Sequence, residues 1–329
     1  MASIGKSQQR TPDKTSSLDA MEQEIHNQVE DLPGFARALG KYDRFRNLDP
    51  SSMIFTGSGD SLASSLFAHY LSQMKAFAAD PFELQLYPKV AKNRTIFITS
   101  VSGKTRTNIH LAKRVRGLAK KRVAITANPE SPLAKECDDV IRLRYRSLGI
   151  LTSGTASFSA SLLAVASLIR RLPKLGSLPV VERRAAEWAG GLRVHPRRGF
   201  LFVGSGTGYA LAMYAAFKIH EVLGLSAQYQ HTEQLGHSQL FSLQEKSDNL
   251  LLLSTSSDKK TSEVFQVLSK NGFHAYLLKS EILDPILATL QVTFCLQHLA
   301  LYLGRKIGLQ ECAFLTDKKR LALSSRLIY

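Results

Sequence analysis

Short, continuous apolar runs rich in β-branched and aromatic residues recur along the chain at Met53-Ile54-Phe55, Thr95-Ile96-Phe97-Ile98, Val123-Ala124-Ile125, Val140-Ile141-Arg142-Leu143, Phe200-Leu201-Phe202-Val203, Leu250-Leu251-Leu252-Leu253 and 273–278. Such runs predict strands of parallel sheets covered on both faces. Between them the period changes to that of a helix. Residues 19–39 place Met21, Ile25, Val29 and Leu32 on one face, and helices are expected behind the loop at 56–61 as far as about Met74, at 80–86, at 107–120 behind the loop at 99–105, behind Thr207, and at 263–268. Residues 156–169 are apolar but carry four serines and are too short to span a bilayer, which predicts a buried helix.

The pattern repeats. Phe200 to Thr207 echoes Ile54 to Asp60, and Leu250 to Ser257 echoes Thr95 to Ser102, each with a helix behind it. Two strand-loop-helix units recurring in the same order imply a tandem pair of doubly wound α/β domains with parallel sheets. The shift to Pro173, Gly176, Pro179, Gly190-Gly191 and Pro196 marks a boundary. The expected division is a disordered polar tail over 1–18, a first domain over 19–175 and a linker over 176–198 with a basic helical piece near 182–188. A second domain over 199–305 and a tail over 306–329 follow. In such sheets ligands sit at the carboxyl ends of the strands.

A length of 329 residues suits two domains, and 44% apolar with 21% charged residues is ordinary for a globular chain. Charge changes the picture. Forty-three Lys and Arg against 27 Asp and Glu give +16, which points to an anionic partner such as a phosphorylated metabolite, nucleic acid or an acidic surface. The basic residues Lys113, Arg114, Arg116 and Lys120 lack interleaved aromatics and read as a solvated helix face, so neither nucleic acid nor a membrane is the expected partner. Cys137, Cys295 and Cys312 show no metal or disulfide spacing, residues 1–18 hold no apolar leader, and a reducing, cytoplasmic setting is expected. His220-Glu221 begins like a zinc-protease helix, but position 224 is glycine, so no metal site is expected.

The chemistry concentrates at Thr99-Ser100-Val101-Ser102-Gly103-Lys104-Thr105. A helix that starts directly after a buried strand presents unpaired N–H groups and the positive end of its dipole to an anion. Capping needs one hydroxyl, whereas Ser100, Ser102 and Thr105 crowd one turn; Gly103 permits close backbone approach. A phosphate cradle is expected. A P-loop is not, because position 98, five before Gly103, is isoleucine.

These residues, with Gly57-Ser58-Gly59-Asp60-Ser61 and Thr126-Ala127-Asn128, resemble the sugar isomerase (SIS) family of phosphosugar-binding domains, whose loop reads Ser-x-Ser-Gly-[Glu/Asn]-Thr. Lys104 departs from the acidic or amide residue usual there. The resemblance implies flavodoxin-like SIS domains over about residues 20–329, with phosphate held by Ser100, Ser102 and Thr105, and with Gly57, Ser58 and Ser61 beside it. Ser153 and Thr155 would lie in the family's next Ser/Thr-rich turn. The architecture is similar to the isomerase half of glucosamine-fructose-6-phosphate aminotransferase and to archaeal-type phosphoglucose/phosphomannose isomerases. No glutaminase segment precedes residue 20, so glutamine-dependent amide transfer is not expected of this chain alone.

Lys218-Ile219-His220-Glu221 and Glu233-Gln234-Leu235-Gly236-His237 resemble these enzymes' catalytic stretch. By that match Glu221 moves the proton between C1 and C2, Lys218 accompanies it, and His237 opens the ring from a neighbouring subunit, implying a homodimer. Read on their own, Glu221 is a helix-surface residue paired with Lys218, and His237 a turn histidine. The amino-sugar synthases end in a segment whose lysine forms a Schiff base; here that position is Leu323. The expected activity is a cofactor-free aldose-ketose isomerase of a hexose or amino-hexose 6-phosphate. A glucosamine-6-phosphate deaminase and a non-catalytic phosphosugar sensor are the alternatives.

Overall fold

The structure, a computed structural model, describes residues 15–245, 248–255 and 258–329. The chain opens on α1 (Ser17–Leu39), started by a reciprocal capping box between Ser16 and Asp19, and a short α2 (Asp43–Arg46). The first sheet follows through β1 (Met53–Gly57), α3 (Asp60–Leu71), β2 (Phe77–Ala79), α4 (Pro81–Leu86), β3 (Thr95–Thr99), α5 (Arg106–Arg114), β4 (Lys121–Thr126), α6 (Pro132–Glu136) and β5 (Asp139–Arg142). Two helices, α7 (Ala156–Ile169) and α8 (Leu178–Gly191), lead to the second unit. That unit runs β6 (Phe200–Gly204), α9 (Thr207–Lys218), β7 (Ala227–His231), α10 (Thr232–Leu235), β8 (Asn249–Ser254), α11 (Lys259–Lys270), β9 (Ala275–Lys279) and α12 (Pro285–Lys306). Short α13 (Ala313–Thr316) and α14 (Lys318–Ile328) close the chain.

Both sheets are parallel throughout. The first has the order β2-β1-β3-β4-β5 and the second β7-β6-β8-β9, so each reverses direction between its first and third strands, where a crevice opens at the carboxyl edge. The duplication extends to backbone angles. Gly59 (φ 60, ψ −131) and Gly206 (φ 56, ψ −130) make the same left-handed turn into α3 and α9.

One core joins the two sheets. Phe97 stacks on Phe55 at 5.0 Å and meets Phe45 edge-on at 5.5 Å, while Phe158 of α7 stacks on Tyr214 of α9 at 3.7 Å. Each such fully buried ring contributes about 1.5–3 kcal/mol of transfer free energy. Helix α12 is long and apolar enough to cross a membrane by length and composition, yet 83% of that stretch is buried within the fold, as in a core helix.

Several boundaries differ from those expected. Of the tail read over 1–18, residues 1–14 lie outside the described residues, while Ser17 and Leu18 are buried in α1. The linker segment is largely helix: α8 buries Val181, Ala185 and Ala189, a stripe four residues apart, and packs along α12. Helix α5 ends at Arg114 and not near 120, since Gly117 turns left-handed at φ 78. The expected tail from 306 holds α13 and α14.

Candidate active site

Strand β3 is buried along its whole length, and the chain leaves the sheet at Ser100, whose N–H donates to the Ile125 carbonyl at 3.0 Å. The loop then turns at Gly103, at φ 65. A Cβ there would lie 2.0 Å from Ser131 Oγ, so glycine is required by backbone angle and space together. The Leu133 N–H donates to the Gly103 carbonyl at 3.0 Å, which clamps the loop to the start of α6. Ser100 Oγ and Thr105 Oγ1 stand 3.3 Å apart, and Ser102 Oγ accepts the Lys104 N–H at 3.2 Å. The structure therefore brings the three hydroxyl residues together, with Lys104 exposed beside them.

No side chain caps α5: Thr105 occupies the N-cap without a capping bond. The duplicated loop is built the other way. There Asp258 caps α11, accepting the Thr261 N–H at 3.2 Å. Asp258 thus holds in α11 the N-cap position that Thr105 holds in α5. An uncapped helix N-terminus with a cation beside it attracts an anion, and one filled by its own carboxylate does not. Ser256 and Ser257, part of the echo read in the sequence, lie outside the described residues.

The β1 loop lies against the same edge. Gly57 is forced by close packing, since a Cβ would come within 2.5 Å of Ser61 Cβ and 2.6 Å of the Thr99 carbonyl. Ser58 Oγ reaches Asn108 of α5 at 3.4 Å, and Ser61 is buried with its carbonyl accepting from Ser64 and Ser65. Asp60 begins α3 and crosses to the second unit: its Oδ2 accepts from Lys218 Nζ at 2.9 Å.

Lys218 is 1% exposed, and its ammonium donates also to Ser153 Oγ at 2.8 Å and to Glu221. Ser153 in turn donates to Glu221 Oε2 at 2.6 Å. Glu221 sits in a π turn, Ile219–Leu223, that widens the end of α9 and stops at the left-handed Gly224. Both bonds anchor Oε2, and the side chain remains 39% exposed, so the carboxylate is fixed on one side and open on the other.

Burial pushes the Asp60 carboxyl up to about 7 against the pull of Lys218, with Glu221 adding to the rise. Lys218 is held above the ordinary lysine range, because the two carboxylates outweigh its burial. Burial likewise raises Glu24, whose Oε2 accepts from Thr155 Oγ1 at 3.3 Å. Thr155 is fully buried, so as placed it braces the turn and gives its hydroxyl to Glu24. His237 stands apart from this cluster. Its side chain is 67% exposed and meets Glu233 at 3.3 Å.

Asp60 and Glu24 are the site groups that sequence reading left without a role. An acid in the first turn of a helix is ordinary dipole chemistry, and Asp60's partner lies 158 positions away. Among the described residues no group of His, Cys, Asp and Glu is arranged to hold a metal.

Residues 48–171 match the SIS domain family. The chain is 24% identical over 246 residues to a glutamine-fructose-6-phosphate aminotransferase (isomerizing) of Pyrococcus horikoshii, covering 67% of this chain and 39% of that protein. It is 38% identical over 95 residues to a 3-hexulose-6-phosphate isomerase of Bacillus subtilis, covering 28% of this chain and 51% of that one. It thus spans well under two thirds of either relative. The crystal structure of a glucosamine-6-phosphate deaminase from Thermotoga maritima superposes with a TM-score of 0.71 at 19% identity, over 88% of this chain and 96% of that one, which shows a shared fold. Residues 48–171 are accordingly similar to a SIS domain, and the solved structures share the fold.

Proposed function

We propose that this chain is a cofactor-free aldose-ketose isomerase acting on a hexose or amino-hexose 6-phosphate through an enediolate. The observation that carries the reading is Glu221, anchored through Oε2 by Lys218 and Ser153 and open on its other side, with the same Lys218 bonded to Asp60 at the start of α3. The phosphate binds at Ser100, Ser102 and Thr105, with the N–H groups of the first turn of α5 and the exposed Lys104 adding charge. Gly57, Ser58 and Ser61 form the adjoining wall. Glu221 takes the C2 proton of the open-chain aldose as the C1 carbonyl becomes the enediolate oxygen, then returns that proton to C1 as the ketone forms at C2. One proton moves between O1 and O2 in the same conversion, and no net redox change results.

Lys218 is a poor Schiff-base nucleophile, being buried and held charged by two carboxylates. Position 323 holds leucine in α14, which leaves the enediolate route as the chemistry these residues can perform. The exposed His237 opens the sugar ring in the site of a neighbouring copy, which makes a homodimer the working unit.

The reading is tested by following interconversion of glucose, mannose, fructose and glucosamine 6-phosphates by NMR with wild type and Glu221→Gln, beside calorimetric binding of the same sugars. Turnover by wild type alone, with binding kept by the variant, is the expected result. Binding without turnover in wild type would make the chain a sensor, and ammonia release from glucosamine 6-phosphate would make it a deaminase using the same C2 proton transfer.

A further inference from the structure

Glu221 has been assigned the proton transfer, yet it shares its lysine. The single Lys218 ammonium donates to Asp60 Oδ2 and to Glu221 Oε2 at once, so two carboxylates divide one buried positive charge. The other oxygen of Asp60, Oδ1, is buried with no hydrogen-bond partner. An unpartnered buried carboxylate oxygen is costly when charged and far less so when the group is neutral. Gly154 packs against the same carboxyl: a Cβ there would stand 2.7 Å from Asp60 Oδ2, so the Ser153–Gly154 turn is shaped around the Asp60 head group. The charged and titratable groups facing Asp60 among the described residues are Lys218 and Tyr214 of α9 and Glu221 of the π turn; α7 and the strands beside α3 present it none.

We propose that Asp60 is a positioning residue of this site: ionised, it draws the Lys218 ammonium away from Glu221, and protonated, it releases the lysine to Glu221, so the proton on Asp60 sets the strength of the base. The inference rests on the isomerase reading for its kinetic consequence. With Asp60 ionised, Glu221 carries less of the lysine's charge and accepts the C2 proton more readily; with Asp60 neutral, the full ion pair makes Glu221 a weaker base. Burial places the Asp60 carboxyl at about 7, so turnover rises as the pH passes upward through that region. The proton itself comes from and returns to solvent and forms no covalent intermediate.

Two measurements test this. In the pH profile of kcat, wild type rises through neutrality, whereas Asp60→Asn, which cannot ionise, runs flat and low, roughly tenfold below wild type at pH 8 with little change in KM. A residue of merely structural importance would lower kcat and keep the inflection, so an Asp60→Asn profile that retains the rise near pH 7 overturns the proposal. The second measurement uses no substrate. Infrared difference spectra of wild type between pH 6 and 8 should show a buried protonated carboxyl band disappearing as the pH rises. That band should survive in Glu24→Gln, which removes the other carboxyl raised by burial, and vanish in Asp60→Asn. Loss of the band in Glu24→Gln, or no band in wild type, overturns the assignment even if Asp60→Asn fails to fold. Wild type that turns over no sugar phosphate defeats the isomerase reading and with it the base-tuning role, while the band reports separately whether Asp60 holds the proton.

Discussion

Lys218 donates to Asp60, Ser153 and Glu221 from a position that is 1% exposed. Removing it leaves two carboxylates with no cation, so Lys218→Met should destabilise the fold by about 3 kcal/mol, read as a lower urea midpoint at unchanged slope. Stability equal to wild type would mean that the lysine serves turnover only. Gly103→Ala meets both the left-handed backbone and Ser131 Oγ, and a loss of about 1–3 kcal/mol is expected from strain of this kind. At this scale the sequence was informative where chemistry is local. Ser100, Ser102, Gly103 and Thr105 lie within one turn of chain, and their grouping could be read directly. Asp60 could not, because its meaning comes from a lysine on another unit, and the bond from Thr155 to the buried Glu24 could not, because Glu24 lies on α1.

The two duplicated loops differ in how their helices begin: α5 has no side-chain cap and α11 is capped by Asp258. Thr105→Asp would give α5 the kind of cap that α11 already has, stabilising the helix while placing a negative charge where phosphate is proposed to bind. Binding of sugar phosphate should weaken at least about tenfold with Tm unchanged or higher, the combination expected when a cap is gained and an anion site lost. Unchanged affinity would move the phosphate elsewhere. A second arrangement ties α1, α8 and α12 together: Glu182 accepts from His298 at 2.7 Å and contacts His26 at 2.9 Å. Although burial opposes it, the histidine contacts hold the Glu182 carboxyl below its ordinary value. A depressed carboxyl contributes stability that is present above its unfolded value of 4.5 and is lost as the pH falls through the folded value. Glu182→Gln should therefore narrow the stability gap between pH 7 and acid, measured by thermal unfolding across that range. Helix α8 was legible only around 182–188: prolines and glycines at its ends signal a boundary, while the stripe Val181, Ala185 and Ala189 that packs it on α12 is spaced among charged residues.

Across the whole molecule, the duplication was legible because the strands of both halves that form short apolar runs have loops of similar character behind them, whereas β2 and the polar β7 carry no such run. The joint core was not, since nothing in either half announces that α3 and α9 face each other. The excess positive charge also looks different in three dimensions. Lys113 and Arg116 of the basic segment share Glu136, Arg122 pairs with Asp138, and Arg44 and Lys121 pair with Asp139. This internal pairing fits a solvated face, so the account expects no salt-dependent binding of a DNA duplex by fluorescence anisotropy. Proton transfer by Glu221 is followed in D2O. Wild type and Glu221→Gln are incubated with glucose, mannose, fructose and glucosamine 6-phosphates, and the C1 and C2 proton signals are followed. The account predicts deuterium entering C1 or C2 of at least one sugar with wild type and none with the variant. Exchange that persists in Glu221→Gln, or no exchange from any of the four with wild type, would contradict it.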